Sequence, residues 1–480
     1  VISTAPVPQA MRSPPSRAPG TDSSVAAAGP EQRVNAFTAG EQHEAHVARL
    51  ADGGTVVTWR SVSQDTPDGG FGVFAQRYDA SGAKAGGAFQ VNTLAEGSQY
   101  NPMAAGLETG GFVIAWRDDN AASDGSGVSV QAQIFDAAGQ PAGEAFTVNT
   151  ETASSQLHPA LVQIPGGFAV AWASAGQDGS GYGTYMARFA NDGTRISPEQ
   201  QVSQDTQNDQ YLPRIAGFAD GGTVTVWTSN AAAAGQGDGS GWSIWARVHA
   251  PLGGAGAGAP ETVQIAVNAT TSGSQYRPDV ATFADGRFVT VWEDQSGNDG
   301  SGYGVFARIM NRDGSPAGDE FRVNGVTAGQ QSDPKVAVLE DGRFVVVWYD
   351  ASASEPGGNG QSIQGQLYGS DGSRIDGPFL VNEASGLTQN GPEIAALPGG
   401  GFRVVWSSNG QDGSGYGVYA RDFGTGGAAP LSAPPVLAGV SDAAFAESGV
   451  NAGLVLLAPA LSLSDPDTAP SAAASCGSNG

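Results

Sequence analysis

The chain has 480 residues, 72 of them Gly and only 14% of them charged, and 47 acidic side chains against 22 basic ones give a net charge of −25. That charge repels phosphate backbones and excludes nucleic acid as a partner, while no stretch approaches the ~20 consecutive apolar residues of a membrane span, which excludes membrane insertion. The single cysteine, Cys476, excludes an intramolecular disulfide.

Residues 1–30 are rich in Ala, Pro and Ser and read as a disordered linker. They carry no apolar h-region of a signal peptide, so the chain reads as processed or as a fragment of something longer. From residue 31 to 423 one unit recurs seven times. Seven tryptophans mark it, Trp59, Trp116, Trp172, Trp227, Trp292, Trp348 and Trp406, spaced by 55 to 58 residues with one interval of 65. A glutamine stands 17 residues before each (16 for Gln156): Gln42, Gln99, Gln156, Gln210, Gln275, Gln331 and Gln389. Seven residues before each Gln stands Asn35, Asn92, Asn149, Ser203, Asn268, Asn324 or Asn382. Three residues after it comes a proline, or Ala45 in the first copy.

Each unit predicts four short strands. In the fifth copy these are Asp279–Phe283, Phe288–Trp292, Val305–Met310 and Glu320–Asn324, with tight turns at Asp285-Gly286 and Asp313-Gly314. The first two strands are almost continuously apolar, as sheets packed on both faces must be. Seven such units in radial repetition describe an all-β fold, a seven-bladed β-propeller of four-stranded antiparallel blades. A Val34-Asn35 strand precedes the first copy, and the last copy lacks one. The N-terminal strand is therefore expected to complete blade seven and close the ring. Residues 424–435 read as a linker, and 436–480 as the start of a cadherin-like or Ig-like repeat with a disordered tail. That segment is too short for a sandwich of ~100 residues.

In such a ring, the loops between blades share a face with the loops between second and third strands. The first set holds the glutamines, whose amides are expected to cap backbone groups of neighbouring loops. The second set carries Asp-Gly-Ser-Gly at Asp124, Asp178, Asp238, Asp299 and Asp412, shortened to Asp68-Gly69-Gly70 in blade one. Ca²⁺ takes about six to eight hard oxygens, and a Gly-rich loop offers carbonyls beside a carboxylate, so these aspartates are candidate metal ligands. An Asp-Gly turn without metal fits the same residues. An aromatic follows most of these loops: Phe71, Tyr182, Trp242, Tyr303 and Tyr416. Tyr182, Trp242, Tyr303 and Tyr416 are candidate stacking platforms for sugars, or packing between blades.

Residues just after each Gln vary on a constant frame, which is where a specific site would be written. Candidates for chemistry at the channel mouth are His43, His158, Tyr100, Tyr276, Arg277 and Asp333, with Glu44 and His46 nearby.

The segments Gln411–Arg421 (QDGSGYGVYAR) and Glu320–Asn324 (EFRVN) resemble modules of large bacterial RTX-type, hemolysin-type calcium-binding surface proteins, and the resemblance covers residues 31 to about 460. It implies a secreted or cell-surface location, neighbouring cadherin-like domains and calcium as a cofactor. The functional reading is an extracellular binding or adhesion module for a polysaccharide or cell-surface ligand. Two alternatives stand beside it: a hydrolase or lyase acting on an extracellular polymer at the channel mouth, and a structural spacer.

Overall fold

A computed structural model describes residues 25–65, 70–94, 96–120, 123, 125, 127–230, 241–252, 261–352, 361–426, 436–438 and 462–464. Seven antiparallel sheets form the blades of a β-propeller, and successive innermost strands touch all the way round, the last (Gln389–Ala396) meeting the first (Gln42–Arg49). Blade five is typical: Gln275–Thr282, Phe288–Asp294, Gly304–Met310 and Phe321–Arg322. Its innermost strand starts at the repeat Gln, four residues before the expected Asp279. Thus the glutamines open the inner strands, where the sequence suggested loops. The only helical element among the described residues is a 3-10 turn at Pro398–Gly400, and no helix is long and apolar enough to cross a membrane.

The seven repeat tryptophans are each at most 2% exposed. They sit in seven hydrophobic clusters, one per blade interface. The cluster between blades one and two, for example, joins Val56 and Val73 to Phe112 and Trp116. Fully burying a large side chain is worth about 1.5–3 kcal/mol, so the interfaces between blades carry much of the stability.

The ring closes through the N-terminus. Gln32 and Arg33 pair with Ala420 and Tyr419 in blade seven, and Val25–Ala27, which the sequence places in the linker, pairs with Phe423–Thr425. Asn35 accepts from the Val418 amide at 2.8 Å. Arg403 of blade seven donates twice to Asp422, at 2.6 and 2.8 Å, and once to Thr55 of blade one at 2.6 Å. Beyond the ring, Val436–Ala438 pairs with Ser462–Ser464.

Candidate functional site at the channel mouth

The innermost strands have a free edge facing the channel, and edge N–H groups need acceptors. Each strand carries a bulge two residues after its Gln. There Glu44, Asn101, His158, Leu212, Arg277, Asp333 and Gly391 all take positive φ between 49° and 58°. The register shifts at this point in every blade, as between Tyr276 and Asp279. The bulge turns the second and fourth residues after the Gln toward the axis. Glu44 accepts from the Asn101 amide at 2.7 Å, His46 from Ala104 at 3.2 Å, and Asp279 from Val336 at 2.8 Å, each across to the next blade.

A cavity of about 580 Å³ opens at this end, with lining residues from all seven blades. Four residues after the Gln the blades carry His46, Met103, Ala160, Arg214, Asp279, Lys335 and Glu393. The charged members of that row meet around the axis. Arg214 lies 3.8 Å from Asp279 and 3.6 Å from Glu393. Lys335 lies 2.8 Å from Asp333 and 3.8 Å from Glu393.

This cluster separates the proton affinities of its acids. Burial pushes Glu393 up, against the pull of Lys335 and Arg214. Burial also pushes Asp333 up, but Lys335 and Arg277 outweigh it and hold that carboxyl below the usual range. Asp279 is raised to about 6 by burial and by the charge of Glu393. Burial pulls Lys335 down, yet Asp333 and Glu393 together raise it. His46 is lowered to about 3 and His158 to about 4, each first by burial and then by Arg214.

Of the sequence candidates for chemistry, His43, His158, Arg277 and Asp333 line the cavity. Arg277 faces Glu293 at 3.6 Å. Tyr100 and Tyr276 stand behind it in a rim of inter-blade aromatic pairs. Phe71 meets Tyr100 at 5.5 Å, Tyr182 meets Tyr211 at 5.1 Å, Trp242 meets Tyr276 at 5.3 Å and Tyr416 meets His43 at 4.3 Å. All of these rings are half-buried, so each paired ring packs on a neighbouring blade and keeps an edge in solvent; Tyr303 is half-buried too. Arg214, Asp279, Lys335 and Glu393 escaped the sequence reading. Their one signal was register: each directly follows the repeat proline.

The loop aspartates act as local caps. Asp178, Asp299 and Asp412 accept from the amides of Ser180, Ser301 and Ser414 at 3.0–3.2 Å. The outer oxygens of Asp299 and Asp412 accept from Asn324 and Asn35 at 3.3 and 3.4 Å. Asp124 and Asp238 lie outside the described residues, as does Asp68. In blade one Asp65 plays this part, accepting from Asn92 at 3.1 Å. Six of the repeat glutamines cap within their own loop rather than across to a neighbouring one, each donating to the carbonyl three residues earlier, as Gln42 does to Ala39 at 3.0 Å. Among the described residues no three His, Cys, Asp or Glu side chains converge as a metal site.

No family model matches the chain, and no curated protein matches it in sequence. Among solved structures, a protein of unknown function from Dyadobacter fermentans superposes with a TM-score of 0.51 at 10% identity, over 84% of this chain and 99% of that one. The Penicillium chrysogenum alpha-L-arabinanase complexed with arabinobiose gives 0.44 at 13% identity, over 71% and 99%. The NanB sialidase from Streptococcus pneumoniae gives 0.43 at 10% identity, over 82% and 71%. At such identity the Dyadobacter likeness extends to the fold alone.

Proposed function

We propose that the chain takes an extracellular polysaccharide at the channel mouth and hydrolyses a glycosidic bond there, with Glu393 as general acid and Asp333 as general base. One observation carries this reading. Both carboxyls contact the same ammonium, Lys335, at 3.8 and 2.8 Å, yet their environments push their proton affinities apart. Two carboxyls in one open cavity, one with its proton affinity raised and one with it lowered, suit the acid and base roles that glycoside hydrolysis needs. Glu393 gives its proton to the leaving glycosidic oxygen. Asp333 takes a proton from the attacking water, whose oxygen bonds to the anomeric carbon. Arg214 and Lys335 hold the two carboxyls in place, and the aromatic rim offers faces on which sugar rings stack.

The test is release of reducing ends from a panel of neutral and anionic polysaccharides. Wild type releases them, and Glu393→Gln and Asp333→Asn each lose about 10²–10⁴-fold while melting as wild type does. Absence of release from every polysaccharide, or activity that survives both substitutions, overturns the reading. The adhesion reading keeps one observation of its own, the half-buried rim that includes Tyr182, Trp242, Tyr303 and Tyr416. Binding without release, weakened by Trp242→Ala, would favour it. The resemblance to bacterial surface proteins supports either activity outside the cell.

A further inference from the structure

The copies of the repeat serve as controls for one another, and blade three departs from the rest. In five blades the repeat Asn donates from Nδ2 to the following Gln Oε1 at 2.9–3.2 Å. In six it also donates to the carbonyl two residues on, at 2.7–2.9 Å. Where the loop Asp is seen beside it, Nδ2 reaches that Asp Oδ2 at 3.1–3.4 Å. One amide nitrogen thus sits among three oxygens.

Blade three has Ser203 in place of the Asn. Its hydroxyl takes over the work of the missing Oδ1, accepting from the Thr184 amide at 3.1 Å. Nothing takes over the work of Nδ2. Gln210 is fully buried, and its own amide nitrogen is held on the Gln207 carbonyl at 2.8 Å, as in its counterparts. Its Oε1 therefore aims at the vacated space, and it has no partner. Asp178 Oδ2 is likewise buried without a partner. Asp205 holds the position whose carbonyl accepts in the other blades. It is 6% exposed, and its Oδ2 too lacks a partner.

Asp178 and Asp205 lie close enough that the charge of Asp205 helps raise the proton affinity of Asp178, and with Gln210 and Ser203 they leave three unpartnered oxygens at this position; with both carboxyls ionised, only Ser203 has a proton to give. A water brings two protons to more acceptors than it can satisfy and leaves two carboxylate charges uncompensated. A hard cation answers both needs, with water completing its shell. Calcium accepts such an irregular set of carboxylate, amide, main-chain and hydroxyl oxygens, whereas magnesium demands near-ideal octahedral geometry. We infer that the Ser203 gap between blades three and four binds a single divalent cation of the calcium class, standing where the other blades place an asparagine amide.

The site has a built-in reporter. The ring of Tyr185 flanks Asp178 across Gly183, and burial and the Asp178 charge push its phenol up to about 12. Terbium, a calcium stand-in excited through a nearby tyrosine, is the probe. With the full chain we expect sensitised emission saturating at one equivalent, displaced by calcium, and a melting temperature raised by calcium. Ser203→Asn rebuilds the arrangement of the other blades, so it folds; it loses the emission and the calcium effect, and without calcium melts at or above wild type. Asp178→Asn also loses the emission. No emission from wild type, or full emission from Ser203→Asn, overturns the inference. The first outcome assigns the gap to water, and the second moves the ion to another loop.

Discussion

Asn35 accepts the Val418 amide at 2.8 Å across 383 residues of chain. In blades one, two, five and six the equivalent bond spans 19 residues, as between Val73 and Asn92. Residues 25–35 and the last repeat therefore form one blade. Asn35→Ala removes this bond and the contacts to Gln42 and Phe37. Leaving a buried amide unsatisfied costs about 1–3 kcal/mol, to be read from chemical denaturation. Deleting Glu31–Asn35 should lower the melting temperature much further, because it reopens a sheet edge and uncovers the cluster that holds Val34. An unchanged melt would refute closure by this strand.

Leu212 occupies the bulge of blade four with φ of 51°. A side chain that cannot hydrogen-bond locally pays roughly 1–2 kcal/mol there. Asn101 fills the same position in blade two, and asparagine tolerates that conformation. Leu212→Asn should therefore stabilise by about 0.5–1 kcal/mol, measured by denaturant midpoint. Destabilisation would mean that the leucine packs usefully against the cavity wall.

The pH dependence of stability follows from buried histidines. His46 stays neutral in the fold to about pH 3, and burial is the chief cause for His249, also lowered to about 3. The unfolded chain takes up these protons near 6.5, so between those values it binds more protons than the native state. Stability is intact above 6.5 and falls as the pH drops, by about 1.4 kcal/mol per pH unit for each such histidine. Glu393 and Asp279 oppose this, since their folded affinities are raised. His46→Asn keeps an acceptor for the Ala104 amide and removes the titrating ring. Its melting temperature should fall less steeply than wild type between pH 6.5 and 4; parallel curves would refute the assignment.

Activity should show a bell-shaped pH profile. The acidic limb reports protonation of Asp333, lying below the usual carboxylate range, and the basic limb reports loss of the Glu393 proton. Lys335→Met removes a charge that lowers both carboxyls and that touches Asp333 at 2.8 Å. The acidic limb should then move to higher pH, with a fall in kcat. A profile that keeps its acidic limb in place would show that Lys335 does not set it.

The ring itself was legible in the chain. Periodic Trp, Gln, Asn and Pro state which residues each copy must bury or cap, and burial within a blade is a local demand repeated seven times. The missing last strand announced closure for the same reason, since a sheet must end in a partner. Three particulars were beyond local reading. Asp65, outside the Asp-Gly-Gly motif, reaches back to Asn92 in blade one, a contact that only the path of the folded loop decides. Val25–Ala27 joins blade seven despite a composition that reads as linker, because an open edge recruits any chain that can pair with it. The central cluster draws Arg214, Asp279, Lys335 and Glu393 from four blades. In sequence each is a lone charge behind a turn. Only closing the ring sets them around one axis, where burial and their fields, felt over a few ångströms of low-dielectric wall, move the carboxyls' proton affinities in opposite directions.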